Sequence, residues 1–310
     1  MFLKTDWVQK HIIDLDDYPR PNWVAITEYV NEEYADTVKH ELWCDIARIW
    51  LDKLKKKLSI EYAVHELDNF ILLTSEKEKY VNHFLRFLEK SRNKILTTLP
   101  GITRDDGYGK HVVIVFDDID SYFTYISYFY PEEGTFGISS GIYLNEGYGH
   151  FAFPHQEITY AESIAAHEMT HALLSHLPIP LWLNEGIAVN IEDYIVGASP
   201  FRLDKEMVNR HRKFWGKNEV QEFWSGKSFG RVDEGQELSY HLAQFAVNTL
   251  SQNYDVFVQY VNKAHHSNGG EIAANEIFEG SLGGLLINIL GDDDWSPKPN
   301  TWSDKLTQGS

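Results

Sequence analysis

The chain has 310 residues, of which 43% are hydrophobic and 24% are charged, and this composition excludes a disordered or low-complexity protein. Its 28 Lys and Arg residues against 46 Asp and Glu residues give a formal net charge of −18, which argues against nucleic acid or an anionic membrane as a partner. The single cysteine, Cys44, excludes an internal disulfide and a zinc site built from cysteine pairs.

The distribution of apolar residues predicts a cytoplasmic protein. Charged residues rather than an apolar run follow the amino terminus, so a signal peptide is not expected. The longest apolar stretch, residues 282–290, is about half of the roughly 20 residues that a membrane-spanning helix needs.

Residues 1–100 are predicted to form an amino-terminal helical region. Between residues 23 and 99, apolar side chains recur at spacings of three and four, as at Leu42, Ile46 and Ile49. This pattern predicts two or three amphipathic helices. The run of lysines over residues 53–57 is interpreted as a solvated helix face.

Residues 101–200 are predicted to contain a sheet followed by two helices. The β-branched run over residues 111–116 predicts the start of the sheet, whereas residues 117–130 fit either an aromatic helix or a strand. The other expected elements are strands over 136–145 and 151–153, a helix over 160–177 with Thr159 as its N-cap, and a helix from about 183 to Gly197.

The remainder of the chain is predicted to form a carboxy-terminal helical region and a tail. Residues 201–291 have helical periodicity apart from a polar loop around residues 225–235. Residues 292–310 lack the periodicity of a core element, and we expect a flexible tail there.

A short motif in the helix over residues 160–177 carries the chemistry. His167 and His171 stand four residues apart, with Glu168 between them. One helical turn places both imidazoles on the same face, about 6 Å apart along the axis. Such a pair can bind one metal ion, while the Glu168 carboxylate reaches a water on that ion without being a ligand. Apolar residues around the motif indicate a buried helix, and a buried histidine pair needs a partner, for which zinc is predicted.

A third ligand is predicted at Glu185. A catalytic zinc usually has three protein ligands and keeps the fourth position for water. The connector over residues 178–180 is too short and rigid for anything but folding the next helix back on the first, and Glu185 stands near the start of that helix. The alternative is an acidic residue that only favours a helix amino terminus.

Two segments together resemble the motifs of the gluzincin branch of the zincin metallopeptidases: His167-Glu168-x-x-His171 and Trp182-Leu183-Asn184-Glu185-Gly186-Ile187-Ala188. The resemblance implies zinc bound by His167, His171 and Glu185, with Glu168 as general base and proton shuttle. It also implies an α+β fold with a zincin-like catalytic domain, a small mixed sheet and active-site helices. The carboxy-terminal helical region would complete the cleft, and residues 239–245 resemble the downstream helix that often supplies an active-site tyrosine.

The sequence departs from the family pattern in three places. Only 13 residues separate His171 from Glu185, fewer than in thermolysin-like enzymes or in aminopeptidases of the aminopeptidase-N type, so a compact variant is expected. The Gly-x-Met-Glu-Asn motif that holds a substrate's free amine in those aminopeptidases is absent, which weakens an exopeptidase assignment. Val189 replaces an aspartate that orients a histidine in thermolysin-like enzymes, so Glu192 or Asp193 is considered for a supporting role.

The implied reaction is zinc-dependent hydrolysis of a peptide bond. Zinc lowers the pKa of its bound water toward about 7 and polarises the scissile carbonyl, and Glu168 accepts the proton as the water attacks. Tyr240 is the candidate donor to the developing oxyanion, with His241 in reserve. A tyrosine among apolar helix residues is otherwise an ordinary core residue.

The expected substrate is a peptide or a protein. Residues 136–144 are either an edge strand that pairs with the substrate or an interior strand of the sheet. His150 and His155, which are close to this segment, are interpreted as turn residues rather than ligands.

Two other functions stay open at this point. The chain could be a zinc-containing protein-binding module without catalysis, or a metallohydrolase of a small non-peptide substrate. Glu168 argues against the binding module, because a site without catalysis has no chemical need for that carboxylate. The sequence does not separate the small-substrate hydrolase from the peptidase.

Overall fold

The structure is a computed structural model that describes residues 4–15, 17–130, 140–198 and 201–302. Over these residues the fold is α+β, with 13 α-helices and a small mixed sheet, which confirms the predicted fold class at this level. The chain divides into two compact units. The first contains residues 1–94, 105–133 and 138–172, and the second contains residues 95–104, 134–137 and 173–310, as far as these ranges are described. None of the helices in the described ranges has both the length and the apolar character needed to cross a membrane.

The first unit holds the amino-terminal helices and both sheets. Its helices are α1 (Thr5–Lys10), α2 (Trp23–Glu33), α3 (Asp36–Lys55), α4 (Glu78–Thr98), α5 (Ile119–Ser127) and α6 (Ile158–Leu174). Its strands are β1 (Ile12–Leu15), β2 (Tyr18–Pro21), β3 (Ala63–Leu67), β4 (Phe70–Thr74), β5 (His111–Phe116), β6 (Ile142–Leu144) and β7 (His150–Pro154). The last residues of α4 and α6 belong to the second unit.

The larger sheet has five strands in the order β3-β4-β5-β7-β6. Strands β4, β5 and β7 run parallel, and β3 and β6 pair antiparallel at the two edges. The register places Tyr143 of β6 opposite Phe151 of β7. Strands β1 and β2 form a separate antiparallel pair. Strand β6 is therefore an edge strand among the described strands. An edge strand was one of the two predictions for residues 136–144. Residues 136–139 lie outside the described residues.

Burial explains why the central strands form. All five positions of β4 are buried, and so are five of the six positions of β5. Continuous apolar runs of this kind are typical of parallel strands that are covered on both faces. Ile71, Val112 and Ile114 belong to the hydrophobic core of this unit, so the same burial that favours the strands also positions the elements around them.

The helical prediction for residues 1–100 is incomplete. Helices α2, α3 and α4 are present, but β1 to β4 also lie in this stretch. The larger sheet therefore begins at Ala63, and its predicted start at His111 is wrong. The four apolar residues Phe70–Leu73 fit a buried helix segment as well as a buried strand. Pairing with β5 decides between them, and local periodicity does not reveal that pairing.

The segment between β5 and β6 contains a helix, which settles the open choice for residues 117–130. Helix α5 begins after Asp118, whose side chain accepts a hydrogen bond from the Ser121 backbone N–H at 2.8 Å. An aspartate in this position satisfies an amide that has no partner within the helix. The predicted strands over residues 111–116 and 151–153 are confirmed as β5 and β7.

The second unit is helical, as predicted for residues 201–291. Its helices are α7 (Leu181–Val196), α8 (Lys205–Phe214), α9 (Glu219–Trp224), α10 (Glu234–Leu250), α11 (Tyr254–Lys263), α12 (Glu271–Phe278) and α13 (Gly283–Leu290). Short 3₁₀ turns cover Lys227–Gly230, His266–Asn268 and Pro299–Thr301. Helix α7 ends at Gly197, which takes a φ of 73°, a left-handed conformation that costs glycine little.

The flexible tail predicted from residue 292 is wrong for residues 295–302, which pack against the helices of the second unit. Trp295 is only 7% exposed, and its carbonyl accepts the Trp224 indole N–H at 2.7 Å. The Gln221 side chain accepts the Lys298 backbone N–H at 2.7 Å. Burial of one large indole with satisfied polar partners holds a segment that lacks helical periodicity. Residues 303–310 of the predicted tail lie outside the described residues.

Candidate metal centre

Helix α6 carries the predicted metal-binding motif. It begins at Ile158, where the backbone carbonyl of Glu157 accepts the N–H groups of Tyr160 and Ala161 at 2.9 and 3.0 Å. Thr159 therefore lies inside the first turn, and its prediction as the N-cap is wrong. The Thr159 side chain suggested an N-cap, but the first helical hydrogen bonds are made to the backbone carbonyl of Glu157, two residues earlier.

The buried face of α6 fixes the direction of the motif. Ala165, Ala166 and Met169 are at most 1% exposed. The Thr170 hydroxyl is also buried and donates to the Ala166 carbonyl at 2.9 Å, so its polar atom is satisfied within the helix. Because this face packs into the protein, the face with the two histidines cannot rotate away from its position.

His167, Glu168 and His171 converge on one point. Each offers one ligand atom, and these three atoms lie within 4.8 Å of one another. The imidazole rings are 4.7 Å apart between centroids and are inclined at 79°. All three side chains are half-buried. The predicted pairing of the two histidines by one helical turn is thus present in the structure.

The Glu168 carboxylate is held by the edge strand of the sheet. Its Oε2 accepts the Tyr143 backbone N–H at 2.7 Å, and Tyr143 is the middle residue of β6. A hydrogen bond from an amide to a carboxylate is stronger than one between neutral groups. The bond fixes the position of the carboxylate.

Tyr130 is a second neighbour of Glu168 that sequence reasoning missed. Burial raises the pKa of Tyr130, and the charge of Glu168 raises it further, which places the phenol within electrostatic reach of the carboxylate. Tyr130 and Tyr143 are 38 and 25 residues from Glu168 in the chain. The aromatic composition of residues 122–130 was the only sequence signal, and it did not point to the motif.

The predicted third ligand, Glu185, lies in the first turns of α7 in the second unit and is 9% exposed. Its assignment to the metal stays a prediction. The next residue, Gly186, packs so closely against α10 that an added Cβ would lie 2.5 Å from the Ala243 carbonyl oxygen. Of the two candidates for a supporting role, Asp193 accepts a hydrogen bond from the Gln244 side chain at 2.6 Å.

The other residues predicted for catalysis, Tyr240 and His241, are on α10 in the second unit. The Tyr240 ring packs edge-on against Phe229 at 5.2 Å between centroids, and its catalytic role stays a prediction. His241 Nδ1 lies 2.8 Å from His211 Nε2, and His211 Nδ1 accepts the Trp215 indole N–H at 2.8 Å. Because His211 Nδ1 accepts from Trp215, His211 Nε2 is the donor to His241. The Nδ1 atom of His241 is therefore already used in a hydrogen bond.

His150 is not the turn residue that sequence reasoning suggested. It lies in β7, is fully buried, and hydrogen bonds to the Tyr148 carbonyl at 2.8 Å and the Tyr125 hydroxyl at 2.7 Å. Burial lowers the pKa of His150 to about 4, so its ring is neutral at pH 7. His155 follows β7, and its Nδ1 contacts a Glu76 carboxylate oxygen. Neither belongs to the metal-binding group among the described residues.

Comparison with known proteins does not assign this site: neither a protein-family model nor any curated protein matches the chain. The chemistry of the donors is therefore the basis for its assignment. Imidazole nitrogens and carboxylate oxygens suit Zn²⁺ and other first-row divalent ions. The three residues fit such an ion both by donor type and by their convergence.

Proposed function

We propose that this chain is a zinc-dependent metallopeptidase of the gluzincin type, with a zincin-like catalytic domain. The observation that carries the proposal is the convergence of His167, Glu168 and His171, whose ligand atoms lie within 4.8 Å of one another. The downstream segment Trp182–Ala188, which resembles the second gluzincin motif, supports it from the sequence.

In this proposal His167 and His171 hold the metal, and Glu185 is the third ligand that the sequence predicts. Zinc, when bound, supplies a Lewis acid and lowers the pKa of water to about 7. The histidines must be neutral to bind a metal ion.

Glu168 is the general base. The Tyr143 N–H holds one of its oxygens at 2.7 Å, so the sheet fixes the carboxylate before a substrate arrives. A carboxylate fixed in this way accepts the proton of the attacking water and then delivers it to the leaving amine. Tyr143 itself acts on the reaction only through Glu168 and is a positioning residue.

The position of β6 supports a peptide as the substrate. It is an edge strand among the described strands, and extended peptides commonly add to a sheet edge through main-chain hydrogen bonds. The Tyr143 N–H of this strand already donates to Glu168, so the peptide would pair with the remaining main-chain groups of β6. Binding of an extended substrate and placement of the base therefore involve the same short element.

The decisive experiment replaces Glu168 with Gln. The amide keeps the shape of the side chain but cannot accept a proton, so we expect peptide cleavage to fall by at least about 100-fold while zinc remains bound. Bound metal would be identified and counted by inductively coupled plasma mass spectrometry, and cleavage would be followed on a diverse peptide library. Glu157→Gln, at the exposed start of the same helix, is the matched control and should cleave like the parent.

Each outcome of this experiment decides between the functions considered. Equal cleavage by the parent and Glu168→Gln would remove Glu168 from its role. If the parent binds zinc but cleaves no peptide, a binding module or a hydrolase of small substrates replaces the peptidase. A parent that binds no divalent metal under any condition would overturn all three.

A further inference from the structure

A cavity of about 470 Å³ lies in the first unit, beside helices α4 and α6. Its lining on α4 includes four basic side chains, Lys79, His83, Arg86 and Lys90. Spacings of four, three and four residues place them on one face of the helix. They follow that face over about 16 Å. This row is the basic stripe of α4.

Three of the four side chains of the basic stripe have no neighbouring group that compensates their charge. Among the described residues, the side chains of Lys79, Arg86 and Lys90 form no hydrogen bond or ion pair. Half-buried Arg210 behaves differently, because it pairs with Glu234 and Glu237. Three uncompensated cations in a chain of net charge −18 form a local field of the opposite sign, which attracts anionic groups.

The other lining residues restrict which anion fits. Glu162 of α6 lies in the cavity and pairs with His83 at 2.7 Å, so the ligand also meets a carboxylate that accepts hydrogen bonds. Asn82 offers an amide with both donors and an acceptor, and Phe87 is half-buried. A suitable ligand therefore combines negative groups with N–H donors and some apolar surface.

A peptide satisfies these requirements better than a phosphate polymer. Each peptide residue other than proline supplies an N–H, whereas a phosphodiester backbone has no donor and would meet the negative charge of Glu162. A long polyanion would also be repelled by the net charge of the protein. Carboxylates spaced along a short peptide can reach cations that follow one another along the helix by about 10 Å and about 6 Å.

We propose that the basic stripe of α4 and its cavity bind an acidic peptide segment of a partner protein. Asp and Glu side chains of the segment contact Lys79, Arg86 and Lys90. Its backbone N–H groups donate to Glu162, and an apolar side chain packs on Phe87. This site uses none of the residues assigned to the metal centre, and the inference does not depend on hydrolytic activity.

Fluorescence anisotropy with a labelled peptide tests the proposal. The probe is an eight-residue peptide with three Glu and one Phe, beside an isosteric peptide in which Gln replaces each Glu. The full chain is used in the Glu168→Gln background, so that cleavage does not remove the probe. We expect the Glu peptide to bind, and the triple variant Lys79→Gln, Arg86→Gln, Lys90→Gln to weaken binding by at least about tenfold.

A charge-matched control separates the site from the overall field. Replacing Lys55, Lys56 and Lys57 with Gln removes the same number of positive charges from another helix end, and affinity should stay within about twofold of the parent. Thermal unfolding of both triple variants checks that the fold is retained. Gln preserves helix propensity at these positions.

Three results would overturn the proposal. The Gln peptide could bind as tightly as the Glu peptide, or the control variant could lose as much affinity as the stripe variant. A single-stranded oligonucleotide could instead bind more tightly than the Glu peptide and lose that affinity in the stripe variant, which would assign the stripe to phosphate groups. None of these outcomes bears on the metallopeptidase assignment.

Discussion

The His167–His171 pair and the His211–His241 pair have similar ring separations, 4.7 Å and 4.9 Å between centroids, but they differ in origin. The first pair lies on one helix, and its ligand atoms converge with a carboxylate oxygen. The second joins α8 to α10 through a hydrogen bond. The separation of two histidines therefore does not identify a metal site; the partners of their nitrogens do.

The same contrast holds for the regions around the two pairs. The metal centre depends on helix geometry within five residues, together with one hydrogen bond from β6. The region of α7, α8 and α10 depends on contacts between residues far apart in the chain, such as Gly186 with Ala243 and His211 with His241. We expect mutations in the first region to change metal binding and mutations in the second to change stability, except at Glu185 of α7, the predicted third ligand.

The largest effect is expected for loss of a ligand. His171→Ala removes one of two imidazoles, so zinc affinity should fall by more than about 100-fold and activity should disappear. His241→Ala is the matched control. It removes one histidine of the pair that has a similar ring separation but is joined by a hydrogen bond within the second unit. Zinc titration followed by metal analysis gives the zinc affinities of both variants. The same measurement on Glu185→Gln tests the predicted third ligand.

Zinc affinity that is unchanged in His171→Ala would contradict the metal centre. A loss of zinc in His241→Ala as large as in His171→Ala would contradict the contrast between the two pairs.

A smaller effect, on stability alone, is expected at Gly186. A Cβ at this position would lie 2.5 Å from the Ala243 carbonyl oxygen and 2.6 Å from the Val247 side chain. Because one of these atoms is backbone, α7 and α10 must move apart, and Gly186→Ala should cost about 3 kcal/mol in the free energy of unfolding. Urea unfolding measures this change.

Gly284→Ala gives the matched comparison, since it lies in a helix with open space around the added Cβ. It should be neutral or stabilising by up to about 1 kcal/mol. Equal stability of the Gly186→Ala variant and the parent would show that the helices tolerate a wider spacing.

The smallest effect is a loss of stability in acid. Burial, aided by the neighbouring His241, lowers the pKa of His211 to about 3, whereas a histidine in the unfolded chain titrates near 6.5. As the pH falls below about 6.5, the unfolded chain takes up the proton first, so this contribution is complete above that pH and declines toward pH 3. Between pH 7 and pH 5 we expect a loss of about 2 kcal/mol from this group.

Urea unfolding at a series of pH values measures that decline. His211→Gln cannot take up the proton and should flatten it, although the variant starts from a lower stability. An identical pH dependence in the parent and the variant would assign the acid sensitivity to other groups, among them His150, whose pKa burial lowers to about 4.

The sequence was sufficient for features that depend on neighbouring residues. The convergence of His167 and His171 follows from helical spacing, and the end of α7 at Gly197 follows from the conformational freedom of glycine. The strands β5 and β7 were expected from their β-branched and aromatic runs. These predictions needed no knowledge of which segments meet in the folded chain.

Features that depend on distant partners were not predictable in this way. Residues 70–73 give the same apolar signal in a helix and in a strand, and only pairing with β5 distinguishes them. Trp295 looked like part of a tail because its partner, Trp224, is 71 residues away. The amide that holds Glu168 belongs to Tyr143, and no local pattern indicates which backbone N–H faces a given carboxylate.

In the proposed mechanism, that last contact makes proton transfer depend on the direction in which one backbone amide of a three-residue strand points. Successive backbone amides of an extended chain point to opposite sides, so deletion of a single residue within β6 would turn the Tyr143 N–H away from Glu168 and present a carbonyl or a side chain instead. In the proposed mechanism, the length of β6 is therefore constrained by proton transfer as well as by pairing with β7. Variation in length is better tolerated in the connection that precedes the strand than in the strand itself.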